Sequence, residues 1–75
     1  MRELDYRGTG ENLRVLRKNH GLTMFDLSLE LGVNPKTIAR WEHGEIAPQL
    51  SHVVMISEYF NVDYDEWIET RERNE

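Results

Sequence analysis

The chain has 75 residues, no cysteine, and a net charge of −5 from nine Lys and Arg against fourteen Asp and Glu. This length folds at most one small domain, with little room for both a core and a deep substrate pocket, and the missing cysteines exclude disulfides, thiolate metal sites and cysteine nucleophiles. No apolar run reaches the ~20 residues of a membrane-spanning helix, and the charged stretch Met1 to Gly10 lacks the apolar core of a signal peptide, so a cytoplasmic location is expected.

Gly10, Gly21, Gly32, Gly44, Pro35 and Pro48 cut the chain into short pieces, and none alternates polar and apolar residues over a strand's length. Residues 1–9 are expected to form an N-terminal arm. A first helix is predicted from Thr9 or Gly10 to His20, with Leu13, Leu16 and Arg17 on one face and Gly21 as a left-handed C-cap. A second opens at Thr23, whose hydroxyl can cap the N–H near Asp26, and ends at Gly32. It turns Met24, Leu27, Ser28 and Leu31 to one side. A third opens with Asn34 as N-cap and Pro35 at the first helical position, where a missing N–H costs nothing. Ile38 and Trp41 point one way, Lys36, Arg40 and His43 the other, and Gly44 terminates it. A fourth spans Leu50 to Phe60, with an inward stripe of Leu50, Val53, Ile56, Ser57 and Phe60 and a weak start at Gln49. Asp63 is expected to cap a last short helix carrying Tyr64, Trp67 and Ile68, before a frayed tail at 70–75.

Charge is unevenly spread over these elements. Residues 1–43 hold seven bases and six acids, a net +1, whereas residues 44–75 hold two bases and eight acids, a net −6. An anion-binding face is therefore possible on the first half despite the acidic total.

Only Gly32, Val33 and Asn34 separate the second and third helices, and a short Gly-containing turn between two short amphipathic helices is a helix-turn-helix pattern. The stretches GENLRVLRKNHGLT, LSLELGVNPKTIARWEHG and FNVDYDEWI stand in order between Gly10 and Ile68. In them the chain resembles the Xre/Cro-type helix-turn-helix domain of phage repressors and bacterial regulators, most specifically at LGVNPKTIARWEHG. The resemblance implies an all-α fold, a compact five-helix bundle of lambda repressor-like type over residues 10–69. It also implies that the third helix lies in the major groove of double-stranded DNA.

The roles it implies fall on named positions. Pro35, Lys36 and Arg40 would meet base edges; Lys36 and Arg40 can donate to guanine O6 and N7. Thr37 would touch a thymine methyl or a phosphate. Thr23 and Met24 begin the second helix, where free N–H groups suit a phosphate, and Asn34 is a phosphate donor. His43 would neighbour a phosphate. The bland reading of Lys36 and Arg40 is a solvated face balanced by acids. Arg17 and Glu42 match a structural ion pair that fixes the third helix; a direct phosphate contact for Arg17 is the alternative. The C-terminal region, with Tyr64, Trp67 and Ile68, would form a weak homodimer contact, and Trp67 can instead simply close the core.

Several positions depart from the family's pattern. Met24 stands where Gln is usual, and Glu45 lies in a loop that is often basic. Phe25 and Leu29, spaced i, i+4, replace charged residues; they either pack on the N-terminal arm or mark a protein-partner surface. His20, His43 and His52 lack metal-ligand spacing, no phosphate-cradling glycine loop is present, and no enzyme activity or cofactor is expected. The leading reading is a sequence-specific transcriptional regulator, a repressor acting as a dimer on a palindromic operator. The second is a protein-interaction module of the same fold, antitoxin-like or a co-regulator subunit.

Overall fold

Asp5, not Gly10, starts the first helix. A computed structural model describes residues 1–74, and in it the Asp5 carboxylate accepts the N–H of Gly8 at 2.9 Å and caps α1 (Tyr6–Asn19). The chain runs from β1 (Arg2–Leu4) through α1, α2 (Met24–Leu31), α3 (Pro35–Glu42) and α4 (Leu50–Phe60) to a 3-10 turn at Tyr64–Glu66 and β2 (Thr70–Glu72). The expected fifth helix is thus a single 3-10 turn, and the fold is four α-helices with a two-stranded ribbon.

The ribbon corrects both expected ends. β1 pairs antiparallel with β2, placing Arg2 opposite Glu72, Glu3 opposite Arg71 and Leu4 opposite Thr70. The expected arm at 1–9 is therefore a strand and the first turn of α1, and half of the expected frayed tail is a strand; Glu75 lies outside the described residues. The physical cause is a set of polar bonds between distant segments. Asp5 N–H donates to Glu69 O at 2.8 Å, Glu69 N–H donates to Thr9 Oγ1 at 2.9 Å, and Asn12 Nδ2 donates to Trp67 O at 2.9 Å. Thr9 is buried, and its hydroxyl is satisfied by Glu69 alone, accepting its N–H and donating to its carbonyl oxygen at 3.3 Å.

The caps of α2 and α3 follow the sequence. Thr23 Oγ1 accepts from Asp26 N–H at 3.0 Å while Asp26 Oδ2 accepts from Thr23 N–H at 2.9 Å, a reciprocal capping box. Gly32 ends α2 at φ 66°, a conformation glycine adopts without a Cβ penalty. Asn34 Oδ1 accepts from Lys36 N–H at 2.8 Å and Pro35 takes the first helical position. α4 begins at Gln49 without a side-chain cap.

Leu13, Leu27, Leu31, Ile38, Trp41, Ile56, Phe60 and Trp67 form one core to which all four helices contribute. Ser28 is buried, its hydroxyl donating to Phe25 O at 2.6 Å. Trp67 is 1% exposed, and its Nε1 donates to Ser57 Oγ at 3.0 Å, so the indole's only polar atom is satisfied inside. Leu50 departs from its expected inward place: it is 77% exposed at the first turn of α4, and the inward stripe begins at Val53.

Candidate nucleic-acid interface

Helix α3 is held from behind and free in front. Ile38, Trp41 and Glu42 face the protein, while Lys36, Arg40 and His43 are exposed at i, i+4 and i+7 and line one outer stripe. Among the described residues neither Lys36 nor Arg40 enters an ion pair. Thr37 and Pro35 are half-buried beside this stripe, and Asn34 is exposed at its N-terminal end. Because Asn34 Oδ1 is engaged with Lys36 N–H, its amide nitrogen is the group left to donate outward.

The clamp behind α3 is Arg17. Its Nε donates to Glu42 Oε2 at 2.7 Å and its Nη2 to Glu42 Oε1 at 3.0 Å, a bidentate fork. Its Nη1 donates to Leu22 O at 2.8 Å. One buried guanidinium thus joins the end of α1, the α1–α2 turn and the end of α3. The hydrogen bond to Glu42 holds Arg17 above its ordinary range against the opposing effect of burial, so its charge is permanent. All three guanidinium nitrogens of Arg17 are thus engaged within the protein, the arrangement of a structural ion pair.

Gly10 supplies the other constraint on α3. A Cβ at Gly10 would overlap the carbonyl oxygens of Trp41 and Glu42, so α1 and the end of α3 touch backbone to backbone. Gly44, at φ 74°, also passes close to Arg7 in the first turn of α1, where a Cβ would stand 2.8 Å from Arg7 Cγ.

At the start of α2 the expected phosphate site is altered. The carboxylate of Asp26 already accepts the Thr23 N–H, and an anion arriving there would meet its charge. Hydrogen bonds from Thr23, its backbone N–H first, hold the Asp26 carboxyl below its ordinary 3.8. The Met24 side chain is half-buried against the core rather than outward. Phe25 and Leu29 do not pack on an arm; they are 61% and 67% exposed on α2.

Residues 13–67 match the helix-turn-helix family. The chain belongs to this family. Among curated relatives of this helix-turn-helix chain, the antitoxin PezA of Streptococcus pneumoniae serotype 4 is 31% identical over 55 residues, which are 73% of this chain and 35% of PezA. The HTH-type transcriptional activator BcrR of Enterococcus faecalis is 34% identical over 62 residues, 83% of this chain and 30% of BcrR. The crystal structure of a transcriptional regulator from Listeria innocua superposes with a TM-score of 0.77 at 29% identity, covering 88% of this chain and 59% of that one. The chain spans between 17% and 35% of the length of the curated relatives it matches.

Within the helix-turn-helix frame, the structure separates the three residues expected at a dimer contact. Trp67 is enclosed in the core and cannot reach another chain, Ile68 is half-buried, and Tyr64 is exposed. Sequence reasoning missed Arg7, which the first turn of α1 brings beside His43 on a shallow pocket also lined by Gly8, Glu11 and Glu42. The signal was Asp5 three residues before Gly8, an N-cap pattern hidden by two glycines that look like helix breakers. His20 and His52 lie elsewhere, His20 edge-on to Phe60 and His52 tilted against Trp41, at 4.7 and 5.2 Å between ring centroids.

Proposed function

We propose that this chain is a sequence-specific regulator that binds double-stranded DNA through α3, and that it acts by occluding a promoter site. The supporting observation is the unpaired Lys36–Arg40–His43 stripe, presented opposite the Arg17–Glu42 clamp that fixes the helix's pose. Lys36 and Arg40 offer donors to guanine edges, and Asn34 and Thr37 flank them as phosphate contacts. The role assigned is binding, without catalysis. An eight-residue helix reads few base pairs, so two copies on a palindromic site, one helical turn apart, complete the recognition. Direct contact between copies through Tyr64 and Ile68 is weak, because Asp65, Glu66 and Glu69 repel across it; the DNA holds the pair.

Selection from a random duplex pool, followed by anisotropy with wild type and Arg40→Ala, tests this reading. Arg40→Ala is expected to cost about 1–3 kcal/mol and to relax preference at one base pair, with the melting temperature nearly unchanged. Absence of duplex binding even at low salt overturns the proposal. That outcome would favour the second reading, a protein-interaction module, which the exposed Phe25 and Leu29 and the acidic total support.

A further inference from the structure

Helix α4 buries one face and leaves a second apolar stripe open. Leu50, Val53, Val54 and Ser57 stand at i, i+3, i+4 and i+7 along it and form one wall of a groove of about 700 Å³. Leu4 of β1, Val62, Tyr64 and Ile68 form the other wall. Leu50 is 77% exposed, Tyr64 66% and Val54 48%, whereas Val53, Val62 and Ile68 are half-buried against the core, so the groove has an apolar floor and an exposed apolar rim.

The rim carries one sign of charge. Glu58 and Asp63 line the groove, Asp65 and Glu66 follow on the 3-10 turn, and no Lys or Arg occurs between Trp41 and Thr70. Both bases of the neighbouring ribbon are engaged: Arg2 with Thr70 and Glu72, Arg71 with Glu3. Nucleic acid and anionic lipid are repelled by this face. A second copy seated about a two-fold axis would present the same acidic patch, which among the described residues lacks a free base, to this one.

We infer that the groove along α4 docks a basic amphipathic helix of another protein, with leucine-like residues on the apolar stripe and lysine or arginine over Glu58 and Asp63. A helix suits it because the i, i+3, i+4, i+7 ridge of α4 interdigitates with the equivalent ridge of a second helix. The groove is small, so the complex is weak and transient. The groove lies away from α3, but Tyr64 and Ile68 also carry the weak contact between copies proposed above, so the partner helix and a second copy would compete for this face and the test is run without DNA.

The experiment titrates the full chain, without DNA, with a synthetic helix of about 14 residues, long enough to hold its conformation. It carries leucine at i, i+3, i+4 and i+7 and lysine elsewhere; a second peptide replaces each lysine by glutamate. Calorimetry and amide shifts are expected to show binding of the lysine peptide at Val53, Val54 and Tyr64, and binding of the glutamate peptide at least about tenfold weaker. Leu50→Asp, at an exposed first-turn position that tolerates a carboxylate, is expected to lose about tenfold in affinity. Glu58→Lys should weaken binding several-fold, and Glu30→Lys on α2 should leave it unchanged. Equal binding of the two peptides, or equal losses from Glu30→Lys and Glu58→Lys, overturns the inference. So does a concentration-dependent dimer in sedimentation that Leu50→Asp dissolves, because the occupant is then a second copy.

Discussion

Arg17 secures α3 with two hydrogen bonds to Glu42 and ties it to the α1–α2 turn with a third to Leu22 O, and the Glu42 side chain is wholly buried. Glu42→Ala leaves a buried guanidinium without its carboxylate and is expected to cost roughly 3–5 kcal/mol in urea unfolding. The double variant Arg17→Met with Glu42→Leu buries no charge, and most of the wild-type stability should return. A loss below about 1 kcal/mol in the single variant would mean that the pair behaves like one in water. Asp26 offers a pH-dependent test at the same scale. Its folded-state value lies below 3.8, so its contribution is complete above the ordinary carboxylate range and is lost as pH falls through the folded-state value. Asp26→Asn keeps an acceptor but not the charge. Thermal melts from about pH 7 to about pH 2 should show wild type and variant converging in acid. A constant difference at every pH would assign the effect to the hydrogen bonds alone.

Between elements, the decisive feature is the contact of α1 with the end of α3 at Gly10. Alanine gains about 1 kcal/mol of helix preference over glycine. Here its Cβ would overlap Trp41 O and stand 2.7 Å from Glu42 O, and these are backbone atoms that no rotamer change removes. Gly10→Ala is therefore expected to destabilise the fold by about 1–3 kcal/mol in melting experiments. Gly8→Ala should do less, because its Cβ would first meet the flexible Asp5 side chain. A higher melting temperature for Gly10→Ala would refute the backbone contact. The same glycine shows what the sequence could and could not reveal. The starts of α2 and α3 were legible because Thr23, Asn34 and Pro35 act within one turn of themselves. The start of α1 was not, because Gly10 serves a partner 31 residues away and reads locally as punctuation. The ribbon escaped because its strands are three residues long and gain their order from Asp5, Thr9 and Asn12. The outward placement of Lys36 and Arg40 was legible from helical spacing, whereas the Asp26 carboxylate at the α2 terminus and the burial of Trp67 depend on rotamer and packing.

Over the whole molecule, the charge split sets the field a ligand meets. The N-terminal part, with α3, is near neutral, and the part beyond Gly44 is strongly acidic. Glu45 stands at the border, exposed, its N–H bonded to Arg40 O at 2.9 Å directly after the stripe. Glu45→Lys is expected to tighten binding to all duplex sequences alike and to steepen the slope of log affinity against log salt by about one to two units. Unchanged affinity at low salt would place the α3–α4 loop away from DNA.

The ribbon also decides how the fold would answer a pull. Arg73 N–H donates to Met1 O at 2.7 Å, so the two ends of the paired strands leave the fold side by side. Tension applied there would not run along the helices. It would peel the strands apart as a zipper opens, breaking one rung at a time from Met1 inward, whereas strands loaded from opposite ends would share the force in shear. The pairing of Arg2 with Glu72 and the bond between Asp5 and Glu69 would yield before α1 was strained. The ribbon would thus act as a mechanical fuse, giving way at low force while the Arg17–Glu42 clamp and the pose of α3 remained intact.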